Sequence, residues 1–325
     1  MRRSRALAAA ATLLCALAAV PVLAEASGSY AGPKGAPRTI AIPGDTVFPE
    51  GVGEWPGTRR FFVSSNSDGA IFLGSLKRPQ AELFLPGGAD GRTSATGVEV
   101  DAKRGRLFVA GAATGRVFVY DAHDGTLLRR FETGSGGFLN DVALTPSGDA
   151  YVTDSLRPVL WRLSAKDIAA GVGGTTQLKP FLDLTSIVPY EDGFNLNGLV
   201  STSDGRYLLA IQSNTGQLHR IDPVAGTAQA VDLGGETLLN GDGLALAGHT
   251  LYVVRNRDEL LVTVRLSKDL SSGRIVDSAT DPSFMFPTTV ALSKGKLLVV
   301  NSQFDRRTAG QPPELPFTVS VLPRG

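Results

Sequence analysis

The stretch 197-NGLVSTSDGRYLLAI-211 joins an apolar run opened by Asn-Gly, a polar turn, and a second apolar run rich in strand formers. The same order recurs along the chain. EGVGE, TGVEV, NDVAL, NGLVS, DGLAL and TTVAL begin at residues 50, 96, 140, 197, 242 and 288, so successive phrases stand 46, 44, 57, 45 and 46 residues apart. Each leads into a second run (RRFFVSS, GRLFVAG, GDAYVTD, GRYLLAI, GHTLYVV, GKLLVVN) and, in most units, a third such as GRVFVYD or LLVTVRL. Alternating, β-branched runs bounded by Gly, Asp, Asn and Pro read as strands and hairpins. Three or four strands in about 45 residues, repeated six times, specify an all-β fold: a six-bladed β-propeller in a single domain.

The ends of the repeat predict its closure. The last unit stops after PFTVSVL with no room for a fourth strand, while 37-PRTIAI-42 precedes the first unit and has no blade of its own. This segment is expected to form the outer strand of blade six, removing an open edge. Helical periodicity is confined to Ser164 to Ala170.

Residues 1–26 read differently. Arg2, Arg3 and Arg5 precede an apolar run from Ala6 to Ala24, and Ala24-Glu25-Ala26 offers a small-x-small cleavage site. That pattern predicts a secretory signal peptide, followed by a linker over 27–36 and the propeller over 37–325, with the mature protein secreted. The alternative is an uncleaved membrane anchor, since the apolar run is nearly long enough to span a bilayer, which would keep the protein at the cell envelope. Taking those three arginines and Glu25 from 32 basic and 31 acidic residues leaves 29 and 30, a net charge of −1, and takes away the only cysteine, Cys15. Near-neutral charge without a basic cluster argues against nucleic acid or a membrane surface as partner. A monomer acting on a small molecule is expected.

In a propeller the innermost strand of each blade lies along the central channel, so the first residues of the six phrases should surround one mouth. They are Glu50, Thr96, Asn140, Asn197, Asp242 and Thr288, and all six carry oxygen. Asn-Gly and Asp-Gly are common turn dipeptides, but a set of turn residues would not need Glu. Two carboxylates and several amide oxygens on one axis call for a counter-charge, and calcium tolerates such mixed oxygen ligands. Zinc or copper would call for His or Cys. The mature chain has only His123, His219 and His249, expected at the surface.

With these phrases in register, the sequence resembles the senescence-marker-protein, gluconolactonase and luciferin-regenerating-enzyme propellers over about residues 38–322. Pro49-Glu50-Gly51, Asn197-Gly198-Leu199 and Asp242-Gly243-Leu244 carry the likeness. The resemblance implies a divalent cation, often calcium, held by Glu50, Asn197 and Asp242, with Asn140 beside the metal or substrate. It also implies a hydrolase that opens a lactone or related ester, for which Asp242 would double as general base. Thr96, Thr288, Asn140 and Phe138 are then expected at the substrate. The chain departs from the family at Val52, commonly Pro, and at Phe138, which is Arg in the sugar-lactone members; a less polar ligand follows. The competing reading is a noncatalytic extracellular propeller with a structural cation. Three long segments, 185-TSIVPYEDGF-194, 281-DPSFMFP-287 and 302-SQFDRRTAGQPPELP-316, are candidate lids, and Phe284, Met285, Phe286 and Phe138 are candidates for an apolar wall. Asp121 to Gly125 reads as a hairpin turn.

Overall fold

A computed structural model describes residues 38–324 together with the backbone of Gly28–Ser29. The signal segment 1–26 and the rest of the linker 27–36 lie outside the described residues. Six antiparallel blades follow one another around an axis, with inner strands Pro49–Glu54, Val98–Asp101, Leu139–Leu144, Leu196–Ser201, Gly241–Ala247 and Pro287–Ser293. The phrases that set the repeat therefore form the channel. Blade six is completed by Thr39–Ile42, antiparallel to Phe317–Pro323, with Ile40 opposite Val319. The expected closure is present, starting at Thr39 rather than residue 37.

The core lies between the blades. Six clusters of buried side chains each join one blade to the next; the seam at the closure packs Ile40, Ile42, Leu298 and Val300 against Phe61, Val63 and Phe72. Alternation along the strands supplies this: one face of a blade serves one neighbour and the other face the next. Phe61 and Phe62 are both fully buried, in the clusters on opposite faces of blade one. At roughly 2 kcal/mol for each large apolar side chain removed from water, these seams dominate stability.

The long unit after Asn140 is spent differently from the expected single lid. A helix, Ala165–Ile168, is capped by Ser164, whose hydroxyl accepts from Asp167 N–H. Strand Gly174–Gln177 then adds in parallel to the outer edge of blade two, and Leu182–Asp183 returns as the fourth strand of blade three. The insertion covers a sheet edge before it reaches the 185–194 loop. A second short helix, Phe304–Thr308, lies within the 302–316 segment and was not foreshadowed by periodicity.

Candidate functional site

The first residues of five of the six phrases sit in β-bulges, Thr96 being the exception, just ahead of a regular strand. Register breaks between Pro49 and Val52, Leu139 and Val142, Leu196 and Leu199, Gly241 and Leu244, and Pro287 and Val290. Each break leaves the ring residue outside the regular ladder, and bulges commonly re-aim a side chain beside a functional site. The freed backbone groups are recovered between blades. Ser64 donates to Thr96 O, Thr96 to Leu139 O, Thr153 to Asn197 O and Ser213 to Gly241 O, and Thr288 joins blade six to blade one by donating to Glu50 O at 2.8 Å.

These bonds help to place the ring residues. Glu50, Thr96, Asn140, Asn197 and Asp242 line one cavity of about 780 Å³ at the channel mouth. Thr288 is fully buried with its hydroxyl on the Glu50 carbonyl, behind the ring rather than on the wall. Thr96 reaches the wall, but its proton is taken by Leu139 O.

The two carboxylates carry the electrostatics. Glu50 is 6% exposed, and its Oε2 has no hydrogen-bond partner. Burial, then the charges of Asp242 and Asp141, push its carboxyl well above the ordinary range. Burial likewise lifts Asp242 to about 7, opposed by hydrogen bonds from Asn256 and Asn197. Asn256 Nδ2 donates to Asp242 Oδ2 at 2.7 Å, and Asn140 Nδ2 donates to Ser155 Oγ at 2.9 Å. Among the described residues no three His, Cys, Asp or Glu side chains gather at one point; the donor set is two carboxylates plus amide oxygens. Two buried carboxylates, one with an orphaned oxygen, fit a hard divalent cation bound through oxygen.

Below the ring, Glu54, Glu99 and Asp141 line a second cavity of about 230 Å³ along the channel. Asp141 accepts from the Val142 and Leu199 amides, each at 2.8 Å, while burial lifts it to about 6. Glu99 is lifted to about 8 by burial and by the charges of Asp141 and Glu54. These raised values set the sign of a pH dependence. Between an ordinary carboxylate value near 4 and about 8, the native state keeps protons that the unfolded chain releases, so stability falls as pH rises. Thermal melts in chelator are expected to give a melting temperature that declines from pH 5 to pH 8.5. Calcium should reduce that slope through Glu50 and Asp242; a rising profile would contradict the burial of these groups.

All three candidate lids reach the mouth, through Phe194, Phe286, and the pair Phe304 and Arg307. Phe138 meets Phe194 edge-on at 4.9 Å, and Phe286 lies 6.3 Å from Phe304. Phe138 is fixed by Asp154, a fully buried carboxylate that accepts from the Phe138 amide and pairs with Arg157 at 2.7 Å. Phe286 holds φ 51°, a costly value for a bulky residue that persists only where its surroundings impose it; its amide donates to Glu259 Oε1. The wall therefore differs from the one expected: Phe138 and Phe286 belong to it, whereas Phe284 is buried in the seam between blades five and six. The Met285 amide donates to Asn301 Oδ1, and the residue lies off the mouth.

Asn256 was not foreseen, and Phe194 and Phe304 were foreseen only as parts of the lid segments. One signal was available for the first: second strands end in Ser or Asn in several units, as in SSN, TDS, QSN, RN and NSQ. His219 also differs from expectation. It is 4% exposed rather than at the surface, lies 3.3 Å from Gln212 Oε1, and is driven down to about 4 by burial. Asp121 to Gly125 is the expected turn, with Asp121 Oδ1 accepting from the His123 amide.

No family model matches the sequence, and no curated protein matches it. Solved structures do. The allergen Mala s 1 of Malassezia sympodialis superposes with a TM-score of 0.64 at 16% identity, covering 89% of this chain and 96% of its own. A Lactobacillus plantarum protein gives 0.56 at 19%, covering 84% and 88%. Virginiamycin B lyase of Staphylococcus aureus, solved with quinupristin, gives 0.59 at 11%, covering 86% and 82%. The chain shares the propeller fold with all three. At these identities the likeness extends to the fold alone, and chemistry has to be argued from the mouth residues.

Proposed function

We propose that this propeller is a secreted, calcium-dependent hydrolase that opens a lactone or related ester at its channel mouth. The observation that carries the reading is the buried, unpartnered Oε2 of Glu50, whose proton affinity is raised by burial and by the charge of Asp242. Such a pair is costly to bury without a compensating charge. The export signal over residues 1–26 supports action outside the cell.

Glu50, Asn197 and Asp242 would hold the cation, with Asn140 beside it. When bound it supplies Lewis-acid polarisation of the scissile carbonyl. The residues of the chain do the rest. Asn256 holds Asp242 Oδ2 and fixes the rotation of that carboxylate, which takes the proton of the attacking water and returns it to the leaving oxygen. Asn140, on the cavity wall with its Nδ2 committed to Ser155, would offer its carbonyl oxygen to the cation or substrate. Phe138 and Phe194 exclude water from one side.

One observation favours a second reading, in which the cation only braces a noncatalytic propeller: the Glu50 carbonyl accepts the Thr288 hydroxyl and so takes part in tying blade six to blade one. A panel of lactones and aryl esters, assayed with and without chelator beside calcium-dependent melting, separates the two. The hydrolase reading expects calcium at a hundred times its Kd to add about 2.7 kcal/mol of stability and to switch on turnover of at least one lactone. Stabilisation without hydrolysis of any compound favours the brace.

A further inference from the structure

The mouth carries two features that neither ring closure nor cation binding uses. One is its phenylalanines. Phe138 and Phe194 form one pair beside blades three and four, and Phe286 and Phe304 form another beside blade six. In a six-fold arrangement blades three and six face each other across the axis, so the cavity has apolar surfaces on opposite sides. Phe194 is 46% exposed, a cost in water that an apolar ligand would remove.

The other feature is charge. The mouth segments of blades five and six each contain two arginines, and in each one is neutralised and one is not. Arg255 pairs with Asp258 at 3.0 Å and Arg306 with Glu314 at 2.7 Å. Arg257 and Arg307, both on the cavity wall, form no ion pair among the described residues. Arg307 donates to Asn66 Oδ1 and lies over the Phe48 ring, contacts that hold its position and leave its charge uncompensated. A divalent cation would cancel Glu50 and Asp242, leaving the two guanidinium groups as the net charge of the mouth. A low-dielectric wall beside unpaired guanidinium groups favours a planar anion, which Arg can hold bidentately.

We propose that the ligand of this mouth is an aromatic lactone or ester that also bears a carboxylate, its ring between the two phenylalanine pairs and its carboxylate on Arg257 and Arg307. The proposal rests on the hydrolase reading for the reacting group, while the two ends of the ligand can be tested without turnover. Calorimetric titration with 2-naphthoate and 2-naphthylmethanol, matched rings with and without the carboxylate, is expected to show naphthoate binding about tenfold tighter in calcium. The preference should shrink in chelator, where Glu50 and Asp242 are uncompensated. Arg257→Gln together with Arg307→Gln should abolish it; Arg257→Gln alone, at a side chain with no hydrogen bond, ion pair or ring contact among the described residues, should reduce it about threefold.

Equal binding of the two ligands, or binding of neither, would overturn the proposal, as would a preference that survives the double substitution. A titration with calcium alone keeps the two readings apart. If calcium does not bind but naphthoate is preferred, the hydrolase reading fails and the arginine end stands. If calcium binds and naphthoate is not preferred, the arginine end fails while the cation site stands, and the lactone panel decides between hydrolase and brace.

Discussion

Asp242→Ala is expected to lose calcium binding and to lower hydrolysis of any lactone substrate by about 1,000-fold or more, because one change removes a metal ligand and the general base together. Its effect on stability should have the opposite sign. Asp242 is 4% exposed, lifted to about 7 by burial, and its charge raises the proton affinity of Glu50. Removing it from the metal-free protein relieves that repulsion, so in chelator at pH 8 the variant should melt above the parent, and in calcium below it. Asp242→Asn keeps the shape and the capacity to bond Asn256, and should lose activity to a similar degree with less change in melting. A crossing of the two melting orders distinguishes a site that trades stability for function from a ring of turn residues. If Asp242→Ala binds calcium as tightly as the parent, the assignment of the ring is wrong.

How far the sequence reached is clearest at particular residues. The repeat of EGVGE to TTVAL placed all six inner strands, because hydrophobic alternation and period depend only on the chain itself. The closure by Thr39–Ile42 followed from counting strands in the last unit. The ring was legible as a register, and five of its six members share the cavity. Thr288 does not, because a bulge also frees backbone carbonyls and its hydroxyl serves one of them. Less was visible where contacts cross between units. Phe194 approaches Phe138 from more than fifty residues away, and Asn256 reaches Asp242 from the far end of a hairpin. The acid layer of Glu54, Glu99 and Asp141 was overlooked because each reads alone as a polar strand position; only the axis brings them together.

The second large effect concerns the glycine that follows the ring residue in four phrases. Asn197-Gly198 and Asp242-Gly243 resemble turn dipeptides, yet both glycines lie inside strands and neither adopts positive φ. Glycine is present for space. A Cβ on Gly198 would stand 2.2 Å from Asp242 O, one on Gly51 2.4 Å from Thr96 O, and one on Gly243 2.5 Å from the Thr289 Cα. Each inner strand thus touches the backbone of the next blade where the channel is narrowest, and no rotamer relieves a clash with backbone. Gly198→Ala is expected to cost about 3 kcal/mol, at the upper end for overpacking a rigid core. It should also weaken calcium binding, because the atom it strikes is the carbonyl of Asp242 itself. Gly310→Ala is the comparison: its φ of 66° is unfavourable for alanine, but nothing stands within 4 Å of the new methyl, so about 1 kcal/mol is expected with calcium affinity unchanged. Denaturant unfolding and calcium titration of the two variants test the argument together. Equal losses would mean that conformational freedom, rather than close approach at the axis, selects glycine in the phrase that builds the fold.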